Sequence, residues 1–240
     1  MLSNRLKEIA NMVETDHRVI DVGCDHALLG IYLLKEKIVA NVLSIDINEN
    51  AIKIAKENKK KFLMEGVEKK HTDKLKEEKI NLSKNLEIMQ NDGLKDIVIR
   101  KTDDVVISGM GTKTIIDILK NSDFKKIKNL IIQSNNNLYE LRKFVVENGF
   151  IIDNEFVVFE KGIYYVIIRF KRADKKERYK KENQYSFSDL YFGKYTKRYK
   201  GYMGYVVDNL KEIHYNIPYK NIIKKIKYRI LIYLAKKRKK

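Results

Sequence analysis

Three acid-bearing turns and one glycine-rich turn each follow a short apolar run. Asp21-Val22-Gly23-Cys24-Asp25-His26-Ala27 follows the run at 18–22, and Asp46 closes a second run at 42–46. Asn91-Asp92-Gly93 follows a third run at 86–89, and Gly109-Met110-Gly111 a fourth at 104–108. A glycine after a strand lets the backbone come close to a ligand, and a carboxylate beside it holds an ammonium directly or through water. A carboxylate ending the next strand accepts both hydroxyls of a ribose. Asp92 is placed to accept a hydrogen bond from an adenine amino group, and Gly109 and Gly111 stand where a reacting base would sit. Each element alone is weak, because Asp-x-Gly is as often a plain strand–helix turn and Asp-Gly a plain loop turn. The four in order, each at its strand end, form a joint signal for S-adenosylmethionine.

A nicotinamide dinucleotide is the main rival ligand. Its pyrophosphate needs G-x-G-x-x-G at the start of the first helix. Here Gly23 stands alone before Cys24, and the charge of Asp25 would repel a phosphate. S-adenosylmethionine carries cationic groups and no phosphate, so acidic turns favour it. There is no nucleophile elbow, no P-loop, and no Cys/His spacing that suits a metal. His26 is a lone histidine beside a turn, a place where histidines are more often structural than functional.

Alternating elements are needed to bring these turns together. Leu2, Leu6, Ile9, Ala10 and Val13 predict an opening amphipathic helix. Strands at 18–22, 42–46, 86–89, 104–108 and 129–133 alternate with helices at 27–37, 49–64, 114–119 and 138–148. Strands at 150–160 and 164–170 close the run through a turn at Lys161-Gly162. Such alternation predicts an α/β fold, a Rossmann-like class I methyltransferase sheet with helices on both faces and one antiparallel strand. Ligands of these sheets bind outside the carboxyl ends of the strands. Residues 65–84 are almost wholly polar and read as a loop or a frayed helix.

The charge is unevenly placed. The net charge is +18, of which residues 1–170 carry +2 and residues 171–240 carry +16. The last 70 residues also hold 11 of the 15 tyrosines. A near-neutral body with a basic, tyrosine-rich end points to a polyanion partner, although a lysine-rich solvated face would look similar. The expected division is a cofactor-binding domain at 1–170 and a helical RNA-binding domain at 171–240. In the second, Val206, Val207, Leu210 and Ile213 share one helical face, and Ile222, Ile223, Ile226, Ile230 and Leu234 share another. His214–Pro218 separates them, with Pro218 suited to the first turn of the second helix. An antiparallel, coiled-coil-like pair is expected. Cys24 is the single cysteine, so no internal disulfide can form. No signal peptide and no uninterrupted apolar stretch of spanning length is present, so a soluble cytoplasmic protein with no membrane partner is expected.

These segments resemble the bacterial tRNA (adenine-22-N1)-methyltransferases. The resemblance rests on DVGCDHALLGIYL at 21–33, SIDIN at 44–48, NDGL at 91–94, ISGMGTKTIIDIL at 107–119 and LIIQSN at 130–135. It continues through the Arg142 helix to NGFII at 148–152, the span from Glu155 to Tyr165, and YFGKY at 191–195. It implies S-adenosylmethionine as cofactor, tRNA as partner, and methylation of adenine N1 at tRNA position 22. It also implies a Rossmann-like catalytic domain followed by a helical domain. On the first two turns it puts Asp21, Gly23, Asp25, Asp46, Ile47 and Asn48 at the cofactor. On the next two it adds Asn91, Asp92, Gly93, Gly109 and Met110. Asp25, His26 and Asn135 are the candidates for the chemistry, and no metal is expected. The chain departs from the family pattern at Thr112, at Ser134 and at Glu49-Asn50-Ala51, and the first two could reshape the base pocket. The alternatives are a class I methyltransferase acting on another RNA site or a small molecule, and a non-catalytic RNA-binding protein on a Rossmann scaffold.

Overall fold

Side chains alternate across a strand, and this chain uses both sides of its central strands. Val19, Val106 and Ile131 pack on one face with Ile9 and Ala10 of the first helix and Leu29 and Leu33 of the second. Ile20, Val105, Ile107, Leu130 and Ile132 pack on the other face with Ile115, Leu119, Leu141 and Val145. Strands covered on both faces must be apolar throughout, which is why the runs read as continuous rather than alternating.

The structure is a computed structural model that describes residues 2–64, 84–173, 185–196 and 199–239. The first half runs α1 (Asn4–Asn11), β1 (Arg18–Val22), α2 (Leu28–Lys35), β2 (Asn41–Asp46), α3 (Glu49–Met64), β3 (Leu86–Gln90) and β4 (Asp103–Met110). It continues with α4 (Thr112–Lys120), β5 (Asn129–Ser134), α5 (Leu138–Glu147), β6 (Phe150–Glu160) and β7 (Ile163–Arg172). Last come α6 (Phe187–Phe192), α7 (Lys200–Asn216) and α8 (Ile222–Lys239). Residues 65–83 of the polar segment lie outside the described residues.

One seven-stranded sheet has the order β3-β2-β1-β4-β5-β7-β6. β7 runs antiparallel to both β5 and β6, and the pairs β1–β2, β1–β4, β2–β3 and β4–β5 are parallel. The chain winds outward from β1 to β3, then returns to β4 and winds the other way. A crevice therefore opens where the strand order reverses, at the carboxyl ends of β1 and β4. The β6–β7 turn falls at Lys161 (φ 51°) and Gly162 (φ 81°), the left-handed pair that a tight hairpin requires.

The basic end of the chain is fastened to the body by a dry ion pair. Arg142 on α5 and Glu155 on β6 are fully buried, with Nε 2.7 Å from Oε1. Glu155 Oε2 accepts the Tyr195 backbone N–H at 2.8 Å, and Arg142 donates to the Leu190 carbonyl at 3.1 Å. Gly193 sits over the pair at φ 94°, where a Cβ would come within 2.8 Å of both side chains. The short helix α6, capped by Ser186 and Asp189, has no counterpart in the sequence reading. Its six residues are too few to display a helical period.

α7 and α8 form the expected helical pair, and they run antiparallel, since Gly204 near the start of α7 faces Lys239 at the end of α8. Met203, Val207 and Leu210 of α7 are buried with Leu231 and Ala235 of α8 and Phe192 of α6. The face expected for α8 is corrected. Ile222, Ile223, Ile226 and Ile230 are all more than half exposed, and Leu234 packs only partly. Arg238 fixes the rotation of α8 instead, donating to Asp189 and Ser188 at 3.0 Å. A helix apolar on more than one side does not reveal from its sequence which stripe is covered. Pro218 lies in the connecting turn, where its carbonyl accepts the Asn221 N–H, rather than in the first turn of α8.

Candidate functional site

Three elements shape the first side of the crevice. Beyond β1, Gly23 (φ 72°), Asp25 (φ 51°) and Ala27 (φ 55°) all take left-handed conformations. This tight turn folds back on β2, with the Gly23 and Cys24 N–H groups donating to the Ile45 carbonyl at 2.8 and 2.9 Å. The Asp46 carboxylate is held at both oxygens, by the Asp25 N–H at 3.0 Å and the Asn48 N–H at 2.9 Å. Each carboxylate oxygen keeps lone-pair capacity, so the group can still accept from a pair of hydroxyls. A Cβ on Gly23 would lie 2.1 Å from the Met110 methyl, so the glycine permits contact between the β1 and β4 turns.

Asp21 is the unusual group. It is 3% exposed, and its Oδ2 is buried with no hydrogen-bond partner among the described residues. Burial, with the Asp46 charge adding, pushes its carboxyl up to about 7. Other buried carboxylates are satisfied. At the opposite end of the sheet Asp103 takes the Arg18 guanidinium, and Asp104 takes His17 at 2.8 Å and the Glu14 N–H at 2.7 Å. A buried carboxyl oxygen without a partner is costly, and a cationic ligand removes that cost.

The second side is built from amides. Gln133 Oε1 accepts from the Arg5 guanidinium at 2.6 Å and from the Gly109 N–H at 3.1 Å. Gln133 Nε2 donates to Asn135 Oδ1 at 3.0 Å, and Asn135 Nδ2 donates to the Gly109 carbonyl at 2.8 Å. A register shift between Ser108 and Met110 lifts Gly109 (φ 80°) out of the β4–β5 ladder. Arg5 reaches this place from α1, and its guanidinium lies 5.3 Å from the Tyr165 ring centroid.

Between the two sides lies a cavity of about 600 Å³. Asp21, Gly23, Asp25, His26, Asp46 and Ile47 line it from β1 and β2. Asn91, Asp92, Gly93, Gly109, Met110 and Asn135 line it from β3, β4 and β5. Asn48 does not line it. Its side chain instead accepts the Asn50 and Ala51 N–H groups at 2.9 and 3.4 Å and so caps α3. Asn91 spends its amide on the Gly93 and Lys95 carbonyls, which closes the β3 turn and leaves Asp92 exposed at the cavity. His26 and Asp25 approach within 3.4 Å, both solvent-accessible. The Cys24 thiol is raised by burial and by the nearby carboxylates, so it stays protonated and unreactive.

The sequence reading assigned no role to Arg5, Tyr165 or Gln133, although Tyr165 and Gln133 fall in segments that carry the resemblance. Arg5 is a charged residue bordering the apolar stripe by which the helix is recognised, Tyr165 lies in a sheet strand, and Gln133 sits inside a strand as a neutral residue. The two departures turn out to be partners. Thr112 Oγ1 and Ser134 Oγ are 2.9 Å apart and buried, and neither lines the cavity. Among the described residues no group of three or more His, Cys, Asp or Glu could hold a metal, and no helix is long and apolar enough to cross a membrane.

The TrmK family model, tRNA (adenine(22)-N(1))-methyltransferase, matches residues 19–236. The chain belongs to this family. A Bacillus subtilis relative, a tRNA (adenine(22)-N(1))-methyltransferase, is 24% identical over 180 residues, covering 74% of this chain and 68% of the relative. The structure of M. capricolum TrmK in complex with S-adenosylhomocysteine, its natural cofactor product, superposes with a TM-score of 0.77. That protein is 28% identical, with 100% of this chain and 98% of the other covered. The B. subtilis TrmK crystal structure, at 20% identity and a TM-score of 0.77, shares the fold over 100% of this chain and 99% of its own. This TrmK-family chain is therefore an S-adenosylmethionine-dependent tRNA (adenine-N1) methyltransferase. The residues present fit the cofactor, because an unpartnered buried carboxyl and a backbone-held carboxylate suit its cationic end and its ribose.

Proposed function

We propose that the two sides of the crevice divide the reaction between them. Asp46 accepts the ribose hydroxyls, with Ile47 as an apolar wall, and Asp92 accepts from the adenine amino group of the cofactor. Asp21 takes the ammonium end, and the unpartnered Oδ2 of this residue is the observation that carries the reading. When bound, S-adenosylmethionine supplies an electrophilic methyl group on a sulfonium. The target adenine enters on the Gly109, Met110 and Asn135 side. Its N1 carries no proton in the neutral base, so the lone pair needs alignment and no general base. Positive charge appears on the base as the methyl group arrives. Asp25, exposed at the cavity beside the Gly23 turn, stabilises that charge electrostatically.

We also propose that residues 171–240 form the tRNA-binding part and that the enzyme works in the cytoplasm. The charge of +16 on this stretch and its tyrosines support the first reading. Target tRNA affinity should then fall steeply with added salt.

Single-turnover kinetics test the chemical role. Asp25→Asn should slow methyl transfer by about 10–10³-fold, the range for loss of one electrostatic contact. The rate should stay nearly flat from about pH 7 to 9. A steep rise across that range in the wild type, removed by His26→Ala, would make His26 a general base and overturn this assignment.

A further inference from the structure

The amides on the β4–β5 side form a chain of fixed polarity. A guanidinium has donors only, and so does a backbone N–H. Both the Arg5 guanidinium and the Gly109 N–H point at one atom of Gln133, at 2.6 and 3.1 Å. That atom must be the carbonyl oxygen Oε1, so the Gln133 amino group has to face Asn135. Asn135 must answer with its own oxygen at 3.0 Å, which turns its amino group onto the Gly109 carbonyl at 2.8 Å. The orientation of the exposed Asn135 amide at the cavity is thus set through Gln133, by Arg5 of α1 together with the Gly109 N–H. The cation stays in place because it lies over the Tyr165 ring at 5.3 Å, and because α1 is tied to β6 by the Asn4 N–H on Glu160 at 2.9 Å.

The protein uses one N–H and one lone pair of the Asn135 side chain. One N–H and one lone pair remain, on a residue that lines the cavity. A donor and an acceptor on one amide match the N7 acceptor and N6 donor of adenine, the pairing by which asparagine reads this base. Held by that edge, adenine leaves N1 free of protein contacts, as attack on a methyl group requires. We infer that Asn135 reads the N6/N7 edge of the target adenine, and that Arg5 and Gln133 are positioning residues that fix its amide in the reading orientation. This inference rests on the methyl-transfer reading above.

The test compares two RNAs, with adenine or 7-deazaadenine at the target site. The 7-deaza base keeps N1 and N6 and replaces N7 by C–H, removing one acceptor. The wild type should prefer adenine by about 5–10-fold in kcat/KM, the value of one hydrogen bond. It should show a similar preference in RNA binding without cofactor. Gln133→Glu presents acceptors to both Arg5 and Asn135, so the Asn135 amino group is drawn to two acceptors, the new carboxylate and the Gly109 carbonyl, and the amide is no longer held in one orientation. Its preference ratio should fall to about one. Arg5→Met should lower the ratio partly, and Arg5→Lys, which keeps a donor, should restore much of it. If Gln133→Glu slows both RNAs equally and keeps the ratio, these residues are merely structural and the inference fails. A wild-type ratio of one with normal methylation also overturns it. Absence of methylation on both RNAs would instead contradict the function reading itself.

Discussion

The two sides of the cavity recognise in different currencies. The β1–β2 side offers carboxylates, one held at both oxygens by backbone N–H groups and one with an oxygen buried without a partner. The β4–β5 side offers neutral amides locked into a chain by donor-only groups. A cation is met by charge, and a neutral base is met by directional hydrogen bonds whose polarity must be preset. The difference is instructive because each device fails in its own way. Loss of a carboxylate removes affinity, while loss of an amide's orientation removes discrimination.

The joint between the body and its basic end should show the largest effect. Glu155→Ala leaves Arg142 buried without its partner and releases the Tyr195 N–H. A loss of about 3–5 kcal/mol of stability is expected, a drop in Tm of roughly 10 °C for a chain of this size. A shift of only a degree or two in a thermal melt would mean that the pair does not hold the two parts together.

On the cofactor side, Asp46→Ala removes the acceptor assigned to both ribose hydroxyls. Each charge-assisted bond is worth about 1.5–3 kcal/mol, so S-adenosylmethionine affinity should fall by about 10²-fold or more while the fold survives. Calorimetry reads this directly, and unchanged affinity would remove Asp46 from the site. The same substitution should leave the adenine-to-7-deazaadenine binding ratio untouched, which keeps the two sides separable.

The smallest effect is a pH dependence belonging to Asp21. Its carboxyl is held up at about 7 in the cofactor-free protein, above its ordinary range when unfolded. The folded chain therefore binds a proton that the unfolded chain has released. The stability this group confers is present below the ordinary carboxylate range and is lost as pH rises through about 7. A cationic ligand favours the ionised form, so affinity for S-adenosylmethionine should rise about ten-fold from about pH 5.5 to 7. Asp21→Asn should flatten that rise and weaken binding. A wild-type affinity that does not change across this window would show that Asp21 meets no cation.

The legibility of the two sides differed for the same reason. Asp21, Asp46 and Asp92 stand out because acids at the ends of apolar runs are conspicuous, and their order along the chain matched the order of the strand ends. The parallel sheet was legible because buried strands are continuously apolar. Arg5 was not legible, since its partner Gln133 is 128 positions away and no period links them. Asn48 was placed at the cofactor, but it caps α3, a role that sequence adjacency to Asp46 conceals. The exposed isoleucines of α8 were expected inside because periodicity identifies a stripe without identifying what covers it. In the sequence, Thr112 and Ser134 are departures that could reshape the base pocket. Their hydrogen bond, which makes them a matched buried pair, joins residues that are 22 apart in the sequence.

The central claim is that a cation-binding side and an amide-lined side together direct one methyl group to one ring nitrogen. The most direct measurement is incubation of the full chain with labelled S-adenosylmethionine and a tRNA carrying adenine at position 22, followed by nucleoside mapping. The account predicts 1-methyladenosine at that position, and none when the adenine is replaced by guanine. Label in N6-methyladenosine, or at another nucleotide of the same tRNA, would contradict it.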